Sequence, residues 1–358
     1  MAKLFESISL RGKTSRNRIW IAPMCQYSCE HQDGIPSEWH LVHLGSRALG
    51  GAGLVMCEAT AVHPDGRISP WDTGIWNDDQ AAAWTEVTNF IRQTGALSAI
   101  QLGHAGRKAS IYRSWSGEGP VSPADGGWQP VSPTDEAFPG YNPPRELTTE
   151  DVYASIDDWI QAAKRAVAAG FDVIEVHAAH GYLVHQFLSP ITNQRTDEFG
   201  GSVSKRAKYL VDIVVGIRAA VGEEIPVLVR FSATDYRADG FTLDQCAEVA
   251  KLCEDAGADL FDISSGGIIL GVTIPSGPGY QVPLAKEIAE EVTSAVATVG
   301  QITDAKQAEE ILQTTGIDII MIGRVSLRDP YWPLRAAHEL GVEVDYWPNQ
   351  YTRGKYPN

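Results

Sequence analysis

Gly257-Ala258-Asp259-Leu260-Phe261 and Gly316-Ile317-Asp318-Ile319-Ile320 carry the same pattern: a glycine that closes a helix, then almost at once an apolar strand. The unit recurs at Gly51-Ala52-Gly53-Leu54-Val55-Met56, at Gly95-Ala96-Leu97-Ser98-Ala99-Ile100 and at Gly170-Phe171-Asp172-Val173-Ile174. Glycine suits the left-handed residue that ends a helix, because it has no Cβ to clash. The apolar runs are too continuous for half-exposed strands and fit a parallel sheet covered by helices.

Working outward, the other apolar runs complete a set of eight strands. They lie near Ile19–Met24, Leu54–Ala59, Ser98–Leu102, Val173–Val176, Val227–Phe231, Leu260–Ser264, Ala295–Val299 and Asp318–Met321. Amphipathic helices such as Val152–Ala169 and Leu243–Ala256 separate them. Eight alternating units with no GxGxxG turn predict an α/β protein with a closed (β/α)8 TIM barrel, rather than an open doubly wound sheet. No linker or low-complexity segment is visible, so residues 1–358 are expected to form one domain. Two connections are long: 103–147 after strand three and 177–204 after strand four. Both leave the C-terminal ends of strands, the face on which barrel active sites are built.

Composition narrows the function. The chain is 44% hydrophobic and 21% charged, as in ordinary globular domains. Its net charge of −16 argues against nucleic acid and anionic membrane as partners, since both need basic surfaces. The five cysteines (Cys25, Cys29, Cys57, Cys246 and Cys253) are odd in number and form no CxxC, which speaks against a disulfide framework or an iron–sulfur centre. Met1 to Gly12 has no apolar signal region, and no run approaches the ~18 apolar residues of a membrane span. A reduced cytoplasmic protein is expected.

Five places on the strand ends could carry chemistry. His177-Ala178-Ala179-His180-Gly181-Tyr182 follows strand four, with two imidazoles spaced to project together from a helical turn. They could be structural, could join His104 as metal ligands, or could donate to a carbonyl oxygen while a phenol supplies a proton. Gln101 ends strand three and both donates and accepts, as a heterocyclic imide edge requires. Arg230 ends strand five and needs an anionic partner, either a reduced flavin or an internal carboxylate such as Glu175. Gly300 and Gly323 end strands seven and eight, with Arg324 adjacent, where barrels often bind phosphate. Ala22-Pro23-Met24-Cys25-Gln26-Tyr27 ends strand one and offers a rigid apolar wall to a planar ring.

Taken together these sites resemble the Old Yellow Enzyme family, in its thermophilic-like or xenobiotic-reductase branch. The resemblance spans essentially the whole chain. It rests on Arg16-Asn17-Arg18, Ala22-Pro23-Met24-Cys25, the run Gln101–Lys108, His177–Tyr182, and Phe187-Leu188-Ser189-Pro190 with Asn193, Arg195, Asp197 and Gly200-Gly201-Ser202. It implies an NAD(P)H-dependent flavin oxidoreductase that binds FMN and reduces α,β-unsaturated carbonyls. Ala22, Pro23, Met24 and Cys25 would line the ring. Ala59 would admit its edge, Gln101 would bind its pyrimidine side and Arg230 would sit at N1/O2. Gly300, Gly323 and Arg324 would take the phosphate. His177 and His180 would hold the substrate carbonyl, Tyr182 would donate the proton and Tyr27 would help cap the substrate; no metal is implied.

Phe199 stands where the family often has tyrosine, and Lys205 and Lys208 replace an expected Asn and Arg. The tail Gln350–Gly354 resembles the segment whose arginine, here Arg353, enters a neighbouring site in a homodimer or homotetramer, although Lys355 replaces an expected tryptophan. The alternatives are a metal-dependent hydrolase barrel on His104, His177 and His180, and a flavin-binding barrel without turnover. A dienoyl-CoA reductase-like relative would need cluster cysteines and an extra dinucleotide-binding region.

Overall fold

The computed structural model describes residues 2–356. Eight strands close a parallel barrel in chain order: β1 (Ile19–Ile21), β2 (Leu54–Ala61), β3 (Leu97–Gly103), β4 (Val173–Ala178), β5 (Val227–Ser232), β6 (Leu260–Ser264), β7 (Ala295–Thr298) and β8 (Ile319–Ile322), with β8 returning to β1. The helices of the ring include α1 (Glu38–Leu49), α2 (Asp78–Gln93) and α3 (Thr149–Ala168). After β4 come the short α4 (Leu183–Leu188) and then α5 (Val203–Val221), followed by α6 (Leu243–Asp255), α7 (Val282–Glu291) and α8 (Ala305–Thr314). The short α9 (Arg324–Arg328) and α10 (Trp332–Glu339) follow β8. The expected barrel is the observed one.

Strand ends differ from expectation for local reasons. The first strand was expected to reach Met24 but stops at Ile21. The amide of Ala22 still bonds Ile322 O at 3.0 Å, and Pro23 then has no N–H to continue the ladder. The β2–β3 register shifts between Cys57 and Ala59, a bulge that sets Glu58 apart and brings Ala59 opposite Gln101.

Helices start on the caps their sequences offer. Asn77 accepts from the Gln80 amide, and Thr148 forms a reciprocal capping box with Asp151. The apolar faces of α2, α3 and α5 then bury Trp84, Trp159 and Ile213 against the outer face of the barrel. A side chain of this size contributes about 1.5–3 kcal/mol on burial.

The barrel interior is apolar toward the N-terminal ends of the strands, where Trp20, Leu54, Val173, Leu228, Leu260 and Ile319 pack together. One step further along, Ala22, Met56, Ala297 and Met321 continue the apolar lining. On the consecutive strands β3, β4, β5 and β6, however, that level is polar: Gln101, Glu175, Arg230 and Asp262, all 6% exposed or less. The polarity lies toward the C-terminal face, where the long connections emerge.

Candidate active site

A cavity of about 490 Å³ opens at that face. Ala22, Pro23 and Met24 line it after β1, Arg230 from within β5, Gly300 after β7, and Gly323 and Arg324 after β8. Gly300 adopts φ +129°, a conformation that disfavours any side chain. At Gly323 the nearest atom to an added Cβ is Met24 Sδ at 3.7 Å, so the backbone there faces open space.

Ala59, His177 and Tyr182 line a second, much smaller cavity with His104 and Asp72. Cys25, Tyr27 and Tyr182 pack on one apolar cluster around Ile68, Ala105 and Ala109. Burial, followed by the nearby Asp72 and Glu58 carboxyls, pushes the Cys25 thiol well above its ordinary range, so it is held neutral. Tyr27 takes φ +52°, and its ring meets Trp115 edge-on at 6.1 Å.

The His177 and Tyr182 rings stand perpendicular with centroids 5.0 Å apart, and those of His177 and His180 are 5.1 Å apart. The two histidines do not share a helical turn, as their spacing suggested. His177 still belongs to β4, whereas His180 turns to φ +59° and Gly181 to +74° before α4 begins. That turn is fixed by its neighbours. A Cβ on Gly181 would lie 2.2 Å from Gly267 O, and Lys108 Nζ donates to His180 O at 2.9 Å and to Gly267 O at 3.1 Å.

Hydrogen bonds define one tautomer directly. His177 Nδ1 accepts the Ala179 N–H at 3.3 Å, which leaves Nε2 as the donor. His180 Nε2 lies 2.8 Å from Ser264 Oγ. Burial, then the Arg230 charge, pulls both imidazoles well below their ordinary pKa, so both are neutral. Burial likewise raises the Tyr182 phenol, which keeps its proton.

Gln101 lies below the mouth and donates through Nε2 to Glu175 Oε1 at 2.7 Å. Arg230 does not pair with Glu175 by direct contact, as the sequence suggested. Its Nε lies 3.0 Å from Asp262 Oδ2, off the hydrogen-bond axis, and has no aligned partner. Arg324 is exposed at the rim. Arg353 is exposed on the 3-10 turn Asn349–Gly354 and lines neither cavity.

Sequence reasoning missed Asp262, Ser264 and Gln281. Ser264 and Gln281 also line the large cavity, and Gln281 Nε2 donates to Val299 O at 2.8 Å. The run Ser264-Ser265-Gly266-Gly267, small and polar at a strand end, could have flagged the first of them. Among the described residues no group of three or more His, Cys, Asp or Glu could hold a metal ion, which leaves the hydrolase alternative without a metal centre. His104 instead accepts the Gly106 N–H at its Nδ1. No helix is long and apolar enough to cross a membrane among the described residues.

These residues fit flavin mononucleotide. They supply an apolar wall at Ala22–Met24, a buried guanidinium whose Nε lacks an aligned partner, open backbone at Gly323 and a cationic rim at Arg324. The sequence profile of the NADH:flavin oxidoreductase / NADH oxidase family matches residues 3–343. NADPH dehydrogenase of Halalkalibacterium halodurans is 44% identical over 351 residues, covering 98% of each chain. NADPH dehydrogenase of Listeria monocytogenes is 45% identical over 354 residues, covering 99% of each.

Among solved structures, morphinone reductase superposes with a TM-score of 0.78 at 27% identity, covering 96% of this chain and 91% of that one. The Old Yellow Enzyme homologue of Zymomonas mobilis gives 0.79 at 28%, covering 99% of both. A 2-naphthoyl-CoA reductase gives 0.86 at 29% over 94% of this chain, which spans about half (52%) of that longer protein. The chain therefore belongs to the NADH:flavin oxidoreductase family of Old Yellow Enzyme, as an NAD(P)H-dependent, FMN-using oxidoreductase on a (β/α)8 barrel.

Proposed function

We propose that this protein is an ene-reductase that takes electrons from NAD(P)H and reduces the C=C bond of α,β-unsaturated carbonyl compounds. The observation that carries the reading is the grouping of neutral His177, neutral His180 and protonated Tyr182 at the barrel mouth. FMN held there would supply the two-electron chemistry that links NAD(P)H to the C=C bond.

The protein's part is positioning and charge. Pro23 and Met24 give the ring a rigid apolar wall, with Cys25 beside it, and Ala59 leaves room for its edge. Gln101 would hold the pyrimidine side, Arg230 the N1/O2 side, and Gly300, Gly323 and Arg324 the phosphate. His177 Nε2–H donates to the substrate carbonyl oxygen. Ser264 is closer to His180 Nε2 (2.8 Å) than to Gln281 Oε1 (3.2 Å), and Gln281 Oε1 has a second donor in Ser265 at 2.8 Å. A Ser264 hydroxyl that donates to His180 leaves the ring proton on Nδ1, which then serves as the second donor. Each donor of this kind is worth about 3–4 kcal/mol as negative charge develops on that oxygen. Tyr182 gives its phenolic proton to the α-carbon, and Tyr27 closes over the substrate. Arg353 reaches the site of a neighbouring protomer in a homo-oligomer.

The test is an absorbance spectrum of the purified protein, followed by anaerobic NADPH titration and addition of 2-cyclohexenone. A flavin spectrum that bleaches with NADPH and returns with the enone supports the reading. Bleaching without reoxidation by the enone overturns the ene-reductase assignment.

A further inference from the structure

The interior level formed by Gln101, Glu175, Arg230 and Asp262 holds two carboxyls and one guanidinium, with little access to water. Charge and hydrogen bonding do not balance there. Glu175 receives one donor, Gln101 Nε2, on Oε1, while its Oε2 is buried without a partner. Both oxygens of Asp262 lack an aligned donor, although Arg230 Nε lies 3.0 Å away. Two ionised carboxylates beside one cation would leave an uncompensated buried charge, a state that costs several kcal/mol and is relieved by binding a proton.

We propose that Glu175 and Asp262 hold one proton between them, that its presence sets how much of the Arg230 charge reaches the cofactor cavity, and that Glu175 takes up this proton when bound flavin is reduced at high pH. The proposal deepens the reading above and rests on Arg230 facing the flavin. With both carboxyls ionised the three groups sum to −1, and Arg230 attracts no extra electrons. With Glu175 protonated they sum to zero, and added negative charge on the flavin is easier to accept.

Asp262 keeps its charge because the guanidinium is its neighbour, so the proton resides on Glu175. Burial and then Asp262 raise the Glu175 carboxyl to about 8, against the opposing pull of Arg230 and the Gln101 hydrogen bond. Burial also raises Asp262, against Arg230. On its own strand Glu175 is followed inward by neutral His177, and on β3 uncharged Gln101 lies beside it. On the far side of the barrel the inward residues at this level are Ala22, Met56, Ala297 and Met321, so among the described residues no other titratable side chain competes at this level. In the step itself one O–H bond forms on a Glu175 carboxylate oxygen with a proton from solvent. The electrons come from NAD(P)H, and neither carboxyl is oxidised or reduced.

The holoenzyme is reduced anaerobically by one equivalent of NADPH in weakly buffered solution with a pH-indicator dye. Midpoint potentials are measured across the same pH range. Above pH ~8 the wild-type protein should take up close to one more proton per flavin than it does at pH ~6.5, and its potential should fall more steeply with pH there than below. In Glu175→Gln, which mimics the protonated acid, the extra proton and the break in slope should both vanish, and its potential should exceed that of wild type at high pH. Wild-type uptake that is the same at both pH values overturns the proposal, even if the variant fails to fold or to bind FMN. Arg230→Met separates the two layers: an unchanged potential sinks the placement of Arg230 at the flavin. A lowered potential together with a flat wild-type proton count sinks only the proton pair.

Discussion

His185 Nε2 lies 2.9 Å from Asp235 Oδ1, with both side chains wholly buried. The approach is off the N–H axis. It is nevertheless directional, because His185 Nδ1 accepts the Gly181 N–H at 2.9 Å and the ring proton must therefore sit on Nε2, facing the carboxylate. Asp235 Oδ2 is held by Ser189 Oγ at 2.6 Å and by the Phe241 amide at 2.7 Å. The pair thus clamps Gly181, the residue between His180 and Tyr182. His185→Leu should destabilise the protein by about 1.5–3 kcal/mol, since it removes the polar neighbour of one oxygen of a buried carboxylate. It should also weaken carbonyl binding, seen as a raised KM for enone with NADPH oxidation kinetics less affected. His185→Asn, whose amide oxygen can accept from Gly181, should recover most of the KM. Equal KM values in both variants would assign His185 a purely structural role.

Tyr182→Phe should separate the two half-reactions. A general acid contributes roughly 10²–10⁴ in rate. Oxidation of the reduced enzyme by cyclohexenone should slow by that order, while reduction by NADPH stays within about 2-fold of wild type. Stopped-flow absorbance measures both. If neither half-reaction changes, the proton comes from elsewhere.

The barrel was legible because its signal is repeated: a helix-closing glycine and an apolar strand, many times over. The site was legible where chemistry coincides with a strand end, as at Arg230 and His177. What escaped notice depends on register across strands. Asp262 reads as a lone acid in an apolar run until pairing sets it opposite Arg230. The bulge at Glu58 likewise leaves no mark in the sequence, yet it frees the carboxylate to meet His40 Nε2 at 2.9 Å and the Gln26 amide. The left-handed His180 escaped for a different reason: its conformation is imposed by Gly267 and Lys108, both far away in the chain.

Cys25→Ala tests the neutral thiol. Because the group carries no charge, its influence on the flavin is that of a weak hydrogen bond or dipole, about 1 kcal/mol. For a two-electron couple that corresponds to roughly 20 mV. The midpoint potential should shift by this order with FMN still bound. A shift several times larger at neutral pH would mean that Cys25 is a thiolate in the holoenzyme.

His104 gives the pH prediction. It is buried, its Nδ1 accepts the Gly106 N–H, and burial followed by the nearby His63 pushes its pKa down to about 3. An unfolded histidine titrates near 6.5. Between about pH 3 and 6.5 the unfolded chain therefore binds a proton that the folded chain refuses. The contribution of His104 to stability rises with pH through that window and levels off above it, at up to about 1.4 kcal/mol per pH unit. His104→Asn keeps an acceptor for Gly106 but cannot titrate. Urea unfolding between pH 5 and 7.5 should show a shallower acid slope in the variant than in wild type, with the two curves running parallel above pH 7. Identical slopes across the whole range would mean that His104 is protonated in the folded protein and that its hydrogen bond from Gly106 has been broken.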